Sequence, residues 1–240
     1  MSDSSLPEDH YVIVALDFAD AELGLAFVRQ LDPKYCALKV GFELFVAAGP
    51  ALVEALVAQG FRVFLDLKFH DIPNTVASAC AAASELGVWM VNIHASGGPK
   101  MIAAAREALD RQVTAPAPLL IAVTVLTSMD QGTLHQIGVA GKIPEVVDHW
   151  ATMAADHGCD GVVCSAQEVT AICAQNRPGF LTVTPGIRLP EDAKDDQHRI
   201  FTPEQAQAVG VSHIVVGRPI TRSQDPQAAL MKFYTAFISA

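Results

Sequence analysis

Charged side chains of both signs follow one another closely in the segment Phe64–Val76, whose sequence FLDLKFHDIPNTV is otherwise largely apolar. Asp66 and Lys68 are two positions apart, so their side chains share one face of a β-strand, and Asp71 follows shortly after. Charges beside a buried strand are costly unless they are paired and used. These residue types indicate a catalytic site in which an ammonium group is held between carboxylates.

A second group of candidates combines glycine with arginine. The segment TPGIR ends at Arg188, and VVGRPIT contains Gly217 and Arg218. Glycine lets backbone N–H groups approach an anion closely, and the arginine guanidinium presents a fork of donors that matches phosphate. We therefore predict a phosphate site at these residues. The alternative is that Arg188 or Arg218 pairs with the acidic segment Pro190–Asp196.

The elements that would position these residues are eight apolar, β-branched segments with helix-like segments between them. The predicted strands are Tyr11–Asp17, Cys36–Gly41, Arg62–Lys68, Trp89–Ala95, Leu119–Leu126, Gly161–Ala166, Leu181–Ile187 and His213–Ile220. The predicted helices include Ala19–Leu31, Pro50–Gln59, Val76–Leu86, Lys100–Leu109, Pro144–Asp156 and Pro203–Val209. Continuously apolar strands are typical of parallel sheets that are covered on both faces. Eight such units predict an α/β fold, a (β/α)8 TIM barrel, and a doubly wound open sheet is the alternative.

A barrel of this kind holds its active site at the C-terminal ends of the strands. Asp17 and Lys39 come from the two strands that precede the strand of Asp66 and Lys68, so we expect the four side chains to be neighbours. A buried ion-pair network that only closes the barrel is the alternative for Asp17 and Lys39. The loops after strands 7 and 8 often bind phosphate in such barrels, and this is where the two arginine segments lie.

Composition excludes several classes of protein. The chain has 240 residues, a net charge of -10 and no basic block, so binding to nucleic acid or to an anionic membrane is not expected. No apolar segment approaches the ~18 residues of a membrane span, and the polar N-terminus does not resemble a signal peptide. We expect a cytoplasmic protein with a flexible tail over residues 1–10 and a single barrel domain over residues 11–240.

The cysteine and histidine patterns argue against disulfides and metals. Five cysteines are scattered without a Cys-x-x-Cys pair, at Cys36, Cys80, Cys159, Cys164 and Cys173. We interpret them as free, mostly buried thiols in a reducing compartment. No cluster of His, Cys and carboxylate residues has the spacing of metal ligands, and no dinucleotide-binding fingerprint is present. The sequence therefore predicts neither a metal nor another cofactor.

Several of these motifs resemble one known family. DLKFHDIPNT (Asp66–Thr75), together with ALD, LKVG, TPGIR and VGRPIT, is similar to the orotidine 5′-phosphate decarboxylase family over essentially the whole chain. The Asp-x-Lys-x-x-Asp core is shared with other phosphosugar barrels, whereas its continuation into Ile-Pro-Asn-Thr is specific. The resemblance implies decarboxylation of orotidine 5′-phosphate to UMP and CO2 without a cofactor, in de novo pyrimidine biosynthesis.

The resemblance also implies roles for individual residues. Lys68 would protonate C6 of the pyrimidine, and Asp66 would lie beside the departing carboxylate. Asp71 would enter the site of the other subunit of a homodimer, with Thr75 following it toward the ribose. The remaining implied contacts are Asp17 and Lys39 to ribose hydroxyls, Thr127 to the pyrimidine edge, and Arg188, Gln197, Gly217 and Arg218 to the phosphate and its closing loop.

Two other functions remain open on the same scaffold. One is a metal-dependent phosphosugar decarboxylase of the 3-keto-gulonate 6-phosphate type, whose enediolate chemistry needs a divalent cation. The other is a non-catalytic protein that binds a phosphate ligand. Such a non-catalytic protein would be expected to lack Lys68 or Asp66, and both residues are present.

Overall fold

Eight short parallel strands close into a barrel, in which each strand pairs with the next and the last pairs with the first. The computed structural model describes residues 11–112, 116–190 and 201–239. The strands are β1 (Val12–Leu16), β2 (Ala37–Val40), β3 (Val63–Phe69), β4 (Met90–His94), β5 (Leu119–Val123), β6 (Gly161–Val163), β7 (Leu181–Thr184) and β8 (His213–Val216). The closed order confirms the predicted (β/α)8 barrel against the open sheet.

Helices separate the strands. They are α1 (Ala21–Val28), α2 (Phe42–Ala48), α3 (Pro50–Ala58), α4 (Pro73–Glu85), α5 (Pro99–Asp110), α6 (Gln131–Gln136), α7 (Ile143–Asp156), α8 (Val169–Gln175), α9 (Pro203–Ala208), α10 (Arg218–Thr221) and α11 (Pro226–Ile238), and a 3₁₀ turn spans Ala95–Gly97. Local sequence sets several of their ends. Asp20 accepts hydrogen bonds from the first turn of α1, and Thr202 with Gln205 forms a capping box on α9. In the described residues no helix is long and apolar enough to cross a membrane.

The core has two layers. The larger one lies between the strands and the surrounding helices, and the smaller one fills the inside of the barrel. The inner layer consists of Ile13, Ala15, Ala37, Phe64, Met90, Ile121, Val183 and Val215. The large side chains of Phe64 and Met90 are almost completely buried, so they fill much of the inside of the barrel.

Several predicted strands extend too far at their carboxyl ends. β5 ends at Val123 rather than Leu126, β6 and β7 are shortened similarly, and β8 ends at Val216, so that Arg218–Thr221 is helical instead of extended. Residues beyond the strands remain apolar because they line the mouth, as Val125 does, and hydrophobicity therefore does not mark the end of a strand. The division into a tail and one domain stays a prediction, and the tail, residues 1–10, lies outside the described residues.

Candidate active site at the mouth of the barrel

Side chains that point into the barrel are apolar along most of each strand and polar at its carboxyl end. The inward-facing series are Ile13 and Ala15 from β1 with Asp17 directly after it, Ala37 and Lys39 from β2, Phe64 and Asp66 from β3, and Met90 and Asn92 from β4. Side chains alternate between the two faces of a strand, so every second residue of each strand points into the barrel. Four neighbouring strands therefore bring polar groups to one place where the apolar filling ends.

Asp17, Lys39, Asp66 and Lys68 form a continuous series of ion pairs. Lys39 Nζ lies 3.8 Å from Asp17 Oδ1 and 3.1 Å from Asp66 Oδ2, and Lys68 Nζ lies 2.7 Å from Asp66 Oδ1. The side chain of Asp66 is only 10% exposed, whereas that of Lys68 is 24% exposed. The expected proximity of the four residues is confirmed, and the buried carboxylate of Asp66 lies between the two lysines.

Asp66 is the centre of this charge network. Burial raises the pKa of its carboxyl group, but Lys39 and Lys68, with hydrogen bonds from Lys68 and Asn92, outweigh burial and lower the pKa below its ordinary value. Asp66 is therefore ionised at neutral pH and provides a fixed negative neighbour for both ammonium groups.

The ion pairs form one wall of a cavity of about 210 Å³. Its polar lining comes from Lys39, Asp66, Lys68 and Thr127. The rest of the lining is apolar and consists of Phe64, Val123, Val125, Leu126, Val163, Val183, Pro185 and Val215. Two ammonium groups facing an apolar wall suit a small anionic ligand that is partly apolar.

A second cavity, of about 440 Å³, lies beside α6, α7 and α8. Three carboxylate side chains line it, those of Asp130, Asp148 and Glu168, and none of its lining residues is Lys or Arg. A cavity lined in this way repels an anionic substrate, so the mouth of the barrel remains the candidate active site.

Asp71 and Thr75 do not join this network within the chain. Both residues are exposed, and Asp71 Oδ1 accepts a hydrogen bond of 2.6 Å from the backbone N–H of Ile72. In the described part of the chain, the ion pairs of Lys68 and Lys39 do not include Asp71. Asp71 and Thr75 therefore face outward, at the start of α4, while Lys68 faces the cavity.

The predicted phosphate residues lie after β7 and β8. Arg188 is buried, and its Nη1 donates a hydrogen bond of 2.9 Å to the carbonyl oxygen of Ile187. Gly217 lies against the charge network, since a Cβ added there would come within 3.4 Å of Asp17 Oδ2. Arg218 follows directly as the first residue of α10. Gln197 lies outside the described residues, as does most of the acidic segment that could pair with the arginines.

Two histidines lie next to the network without entering it. The rings of His70 and His94 are 5.4 Å apart. Burial lowers the pKa of His94, and His70 and Lys68 lower it further, so that its imidazole is neutral at pH 7. Across residues 11–112, 116–190 and 201–239, no group of three or more His, Cys, Asp or Glu side chains is placed to hold a metal ion.

Comparison with known proteins assigns the chain to a family. Residues 10–233 match the family model described as the orotidine 5′-phosphate decarboxylase / HUMPS family. The chain belongs to this family. The match covers all eight strands, and hence every residue of the ion-pair network.

Individual members of the orotidine 5′-phosphate decarboxylase family are similar over nearly their whole length. The enzyme of that name from Chromobacterium violaceum is 58% identical over 219 residues, which are 91% of this chain and 88% of that protein. The one from Legionella pneumophila is 55% identical over 215 residues, 90% of this chain and 93% of that protein. The crystal structure of orotidine 5′-phosphate decarboxylase from Lactobacillus acidophilus superimposes with a TM-score of 0.86 at 39% identity, covering 95% and 99% of the two chains.

Asn92 is a polar residue near the end of its predicted strand to which the sequence analysis assigned no role in the site. Its side chain is completely buried and hydrogen-bonds both Asp66 and the backbone of Lys68. The available signal was a polar amide within the apolar strand MVNIH, two positions beyond an inward-facing methionine. A buried amide must be hydrogen-bonded, so such a residue points to a polar partner on a neighbouring strand.

Proposed function

We propose that the protein decarboxylates orotidine 5′-phosphate to UMP and CO2 without a cofactor, and that Lys68 donates the proton. The observation that carries the proposal is the ion pair between Lys68 Nζ and Asp66 Oδ1 at the wall of the cavity, in a chain that belongs to the orotidine 5′-phosphate decarboxylase family. The reaction is a step of de novo pyrimidine biosynthesis. Free thiols, four of them buried, fit a cytoplasmic location.

The reaction requires stabilisation of a localised negative charge. When the bond between C6 and the carboxylate breaks, the electron pair stays on C6 in the plane of the ring, where no carbonyl group is placed to delocalise it. The attraction of a fixed ammonium group grows as this charge develops, which lowers the barrier. A proton then passes from Lys68 Nζ to C6, and the neutral amine recovers a proton from solvent.

Asp66 and Lys39 keep that ammonium group in place. Asp66 accepts from Lys68 through Oδ1 and pairs with Lys39 through Oδ2, so both carboxylate oxygens are occupied. A carboxylate held at both oxygens cannot rotate away, and the position of Lys68 Nζ is fixed before the substrate binds. Asp17, at the other end of the network, is 61% exposed and is available to a ribose hydroxyl.

A second copy of the chain completes the proposed site. Large apolar side chains are exposed on two elements: Ile72, next to Asp71, is 67% exposed, and Phe42 and Val46 of α2 are 55% and 83% exposed. Phe42 also belongs to the site, because its ring centre is 5.2 Å from Lys68 Nζ. An interface at this surface would bury these side chains and bring Asp71 and Thr75 of one subunit to the cavity of the other.

The phosphate of the substrate would bind at the other side of the mouth. Two guanidinium groups, those of Arg188 and Arg218, and the backbone N–H of Gly217 would contact it, while Gln197 would join them from the closing loop. Thr127, on the cavity wall, would contact the pyrimidine edge.

The first test is turnover in the presence of a chelator. We expect the purified protein to lower the pyrimidine absorbance of orotidine 5′-phosphate at the same rate with and without EDTA, because the proposed chemistry uses only protein side chains. The metal-dependent alternative predicts that EDTA abolishes activity and that magnesium restores it. A non-catalytic binding protein would give no change in absorbance at all.

Arg218→Ala should lower kcat/KM for orotidine 5′-phosphate by about 10²-fold, because it removes a charge-assisted contact and leaves the phosphate partly unpaired. Orotidine, which has no phosphate, should be a poor substrate for wild type, and Arg218→Ala should change its turnover little. Both changes remove the same interaction, so their effects should not add.

Arg222→Ala is the matched control for this variant, since Arg222 is an exposed arginine one turn further along the chain. Its kinetics on both substrates should equal those of wild type. If Arg218→Ala slowed orotidine turnover as severely as that of the phosphorylated substrate, Arg218 would support the fold and not the phosphate.

A further inference from the structure

Regular pairing between β3 and β4 breaks at the site. β4 advances two residues from Val91 to Ile93, while β3 advances four from Leu65 to Phe69. Within the extra length of β3, Lys68 has a φ of +44°, and among the described residues it is the only non-glycine residue with a positive φ. Because a side chain crowds the backbone in this left-handed region, neighbouring contacts must hold Lys68 there.

Asn92 supplies contacts at this point. Its Oδ1 accepts a hydrogen bond of 2.8 Å from the backbone N–H of Lys68, the donor that the irregular register removes from the ladder. Its Nδ2 donates a hydrogen bond of 2.6 Å to Asp66 Oδ1, the same oxygen that pairs with Lys68 Nζ. One amide group thus connects the main chain of Lys68 to the carboxylate that holds its side chain.

The Lys68 backbone and the Asp66 carboxylate determine both the orientation and the residue type of Asn92. A backbone N–H only donates and an ionised carboxylate only accepts, so the amide oxygen must face Lys68 and the amide nitrogen must face Asp66. Aspartate would place a second negative charge against Asp66, and an aliphatic residue would satisfy neither partner. Asparagine is neutral, and it offers a donor and an acceptor at the required length.

We propose that Asn92 is a positioning residue that sets the distance and direction between Asp66 and the Lys68 ammonium group. The expected effect of Asn92 on turnover rests on the proposed function, whereas its expected effect on the titration of Asp66 does not. Without Asn92, Asp66 keeps its pairing with Lys39, whereas the backbone of Lys68 loses its side-chain acceptor and can relax out of the left-handed region.

Asn92→Ala tests the proposal through the split between kcat and KM. The phosphate and ribose contacts remain in this variant, so KM should change little, while kcat should fall by about 10²-fold because the proton donor is displaced. Thr182→Val is the matched control, since Thr182 is a fully buried polar residue of β7 whose hydroxyl interacts with Ser212 and Gly210. It should lower the melting temperature as much as Asn92→Ala does, with wild-type kcat.

The titration of Asp66, followed by carbon NMR of the labelled carboxyl group, gives a readout that does not need turnover. The charged groups facing Asp66 are Lys39 and Lys68, the neutral ring of His94 lies nearby, and Asn92→Ala removes none of these three side chains. Loss of the Asn92 hydrogen bond should raise the pKa of Asp66 relative to wild type, whereas Thr182→Val should not change it. If wild type failed to decarboxylate orotidine 5′-phosphate, the proposed function would fail and this titration would still decide the role of Asn92.

Asn92→Asp keeps the shape of the side chain and the acceptor for the backbone N–H of Lys68. It therefore tests the proposal even if Asn92→Ala does not fold. Two carboxylates at this distance share a proton when the pH is lowered, and the protonated one can donate as the amide does. Relative to wild type at each pH, kcat of Asn92→Asp should be low at alkaline pH and recover as the pH falls, with no such recovery in Asn92→Ala. Wild-type kcat in both variants, or a loss confined to KM, would overturn the proposal.

Discussion

Lys68→Ala is expected to lose nearly all turnover while keeping its fold. The substitution removes the proton donor and the cation together, and since each is worth roughly 10²–10⁴ in rate, we expect kcat to fall by about 10⁴-fold or more. The fold should persist because Lys68 is at the rim, outside both core layers, and Asp66 retains Lys39 and Asn92 as partners. Steady-state kinetics and a melting curve on the same preparation measure the two effects.

Lys68→Arg separates the two contributions of Lys68. Arginine keeps a positive charge near Asp66, but it is a very weak acid and a poor proton donor. Its kcat should lie between those of wild type and Lys68→Ala. Lys232→Ala, an exposed lysine of α11, controls for the loss of one positive charge and should behave as wild type. Turnover of Lys68→Ala within about tenfold of wild type would contradict the role assigned to Lys68.

The sequence was sufficient to predict the fold and the ion-pair network for physical reasons. Eight continuously apolar segments left few alternatives to a closed parallel barrel, and the barrel brings the ends of consecutive strands together. Side-chain alternation then placed Asp17, Lys39 and Asp66 on the inner face, because each continues a series of buried apolar residues.

The geometry at Lys68 could not be predicted in the same way. Strand periodicity assumes a regular register, and the left-handed backbone of Lys68 depends on an irregular register and on an amide 24 residues away in the sequence. The ends of the strands were missed for a related reason, since residues lining a cavity are as apolar as residues within a strand. The roles proposed for Asp71 and Thr75 would require a second chain, which no pattern in a single strand specifies.

Mixing two inactive variants should restore activity if Asp71 acts in the partner's site. Homodimers of Asp71→Ala and of Lys68→Ala should both be nearly inactive. A heterodimer of the two carries both lesions in one site and neither lesion in the other, so it should show about half the activity of a wild-type dimer. Separate affinity tags on the two chains allow the heterodimer to be purified and assayed.

The arrangement of the same two lesions in one chain provides the control. A heterodimer of wild type with the double variant Lys68→Ala/Asp71→Ala places one lesion in each site. It should be nearly inactive, although it contains the same two substitutions as the first heterodimer. If Asp71 served its own chain's site, the results would reverse, with activity in this second heterodimer and none in the first. The geometry favours activity in the first heterodimer. Asp71 is exposed, accepts a hydrogen bond from the backbone N–H of Ile72, and forms no ion pair with Lys68 in the described part of the chain.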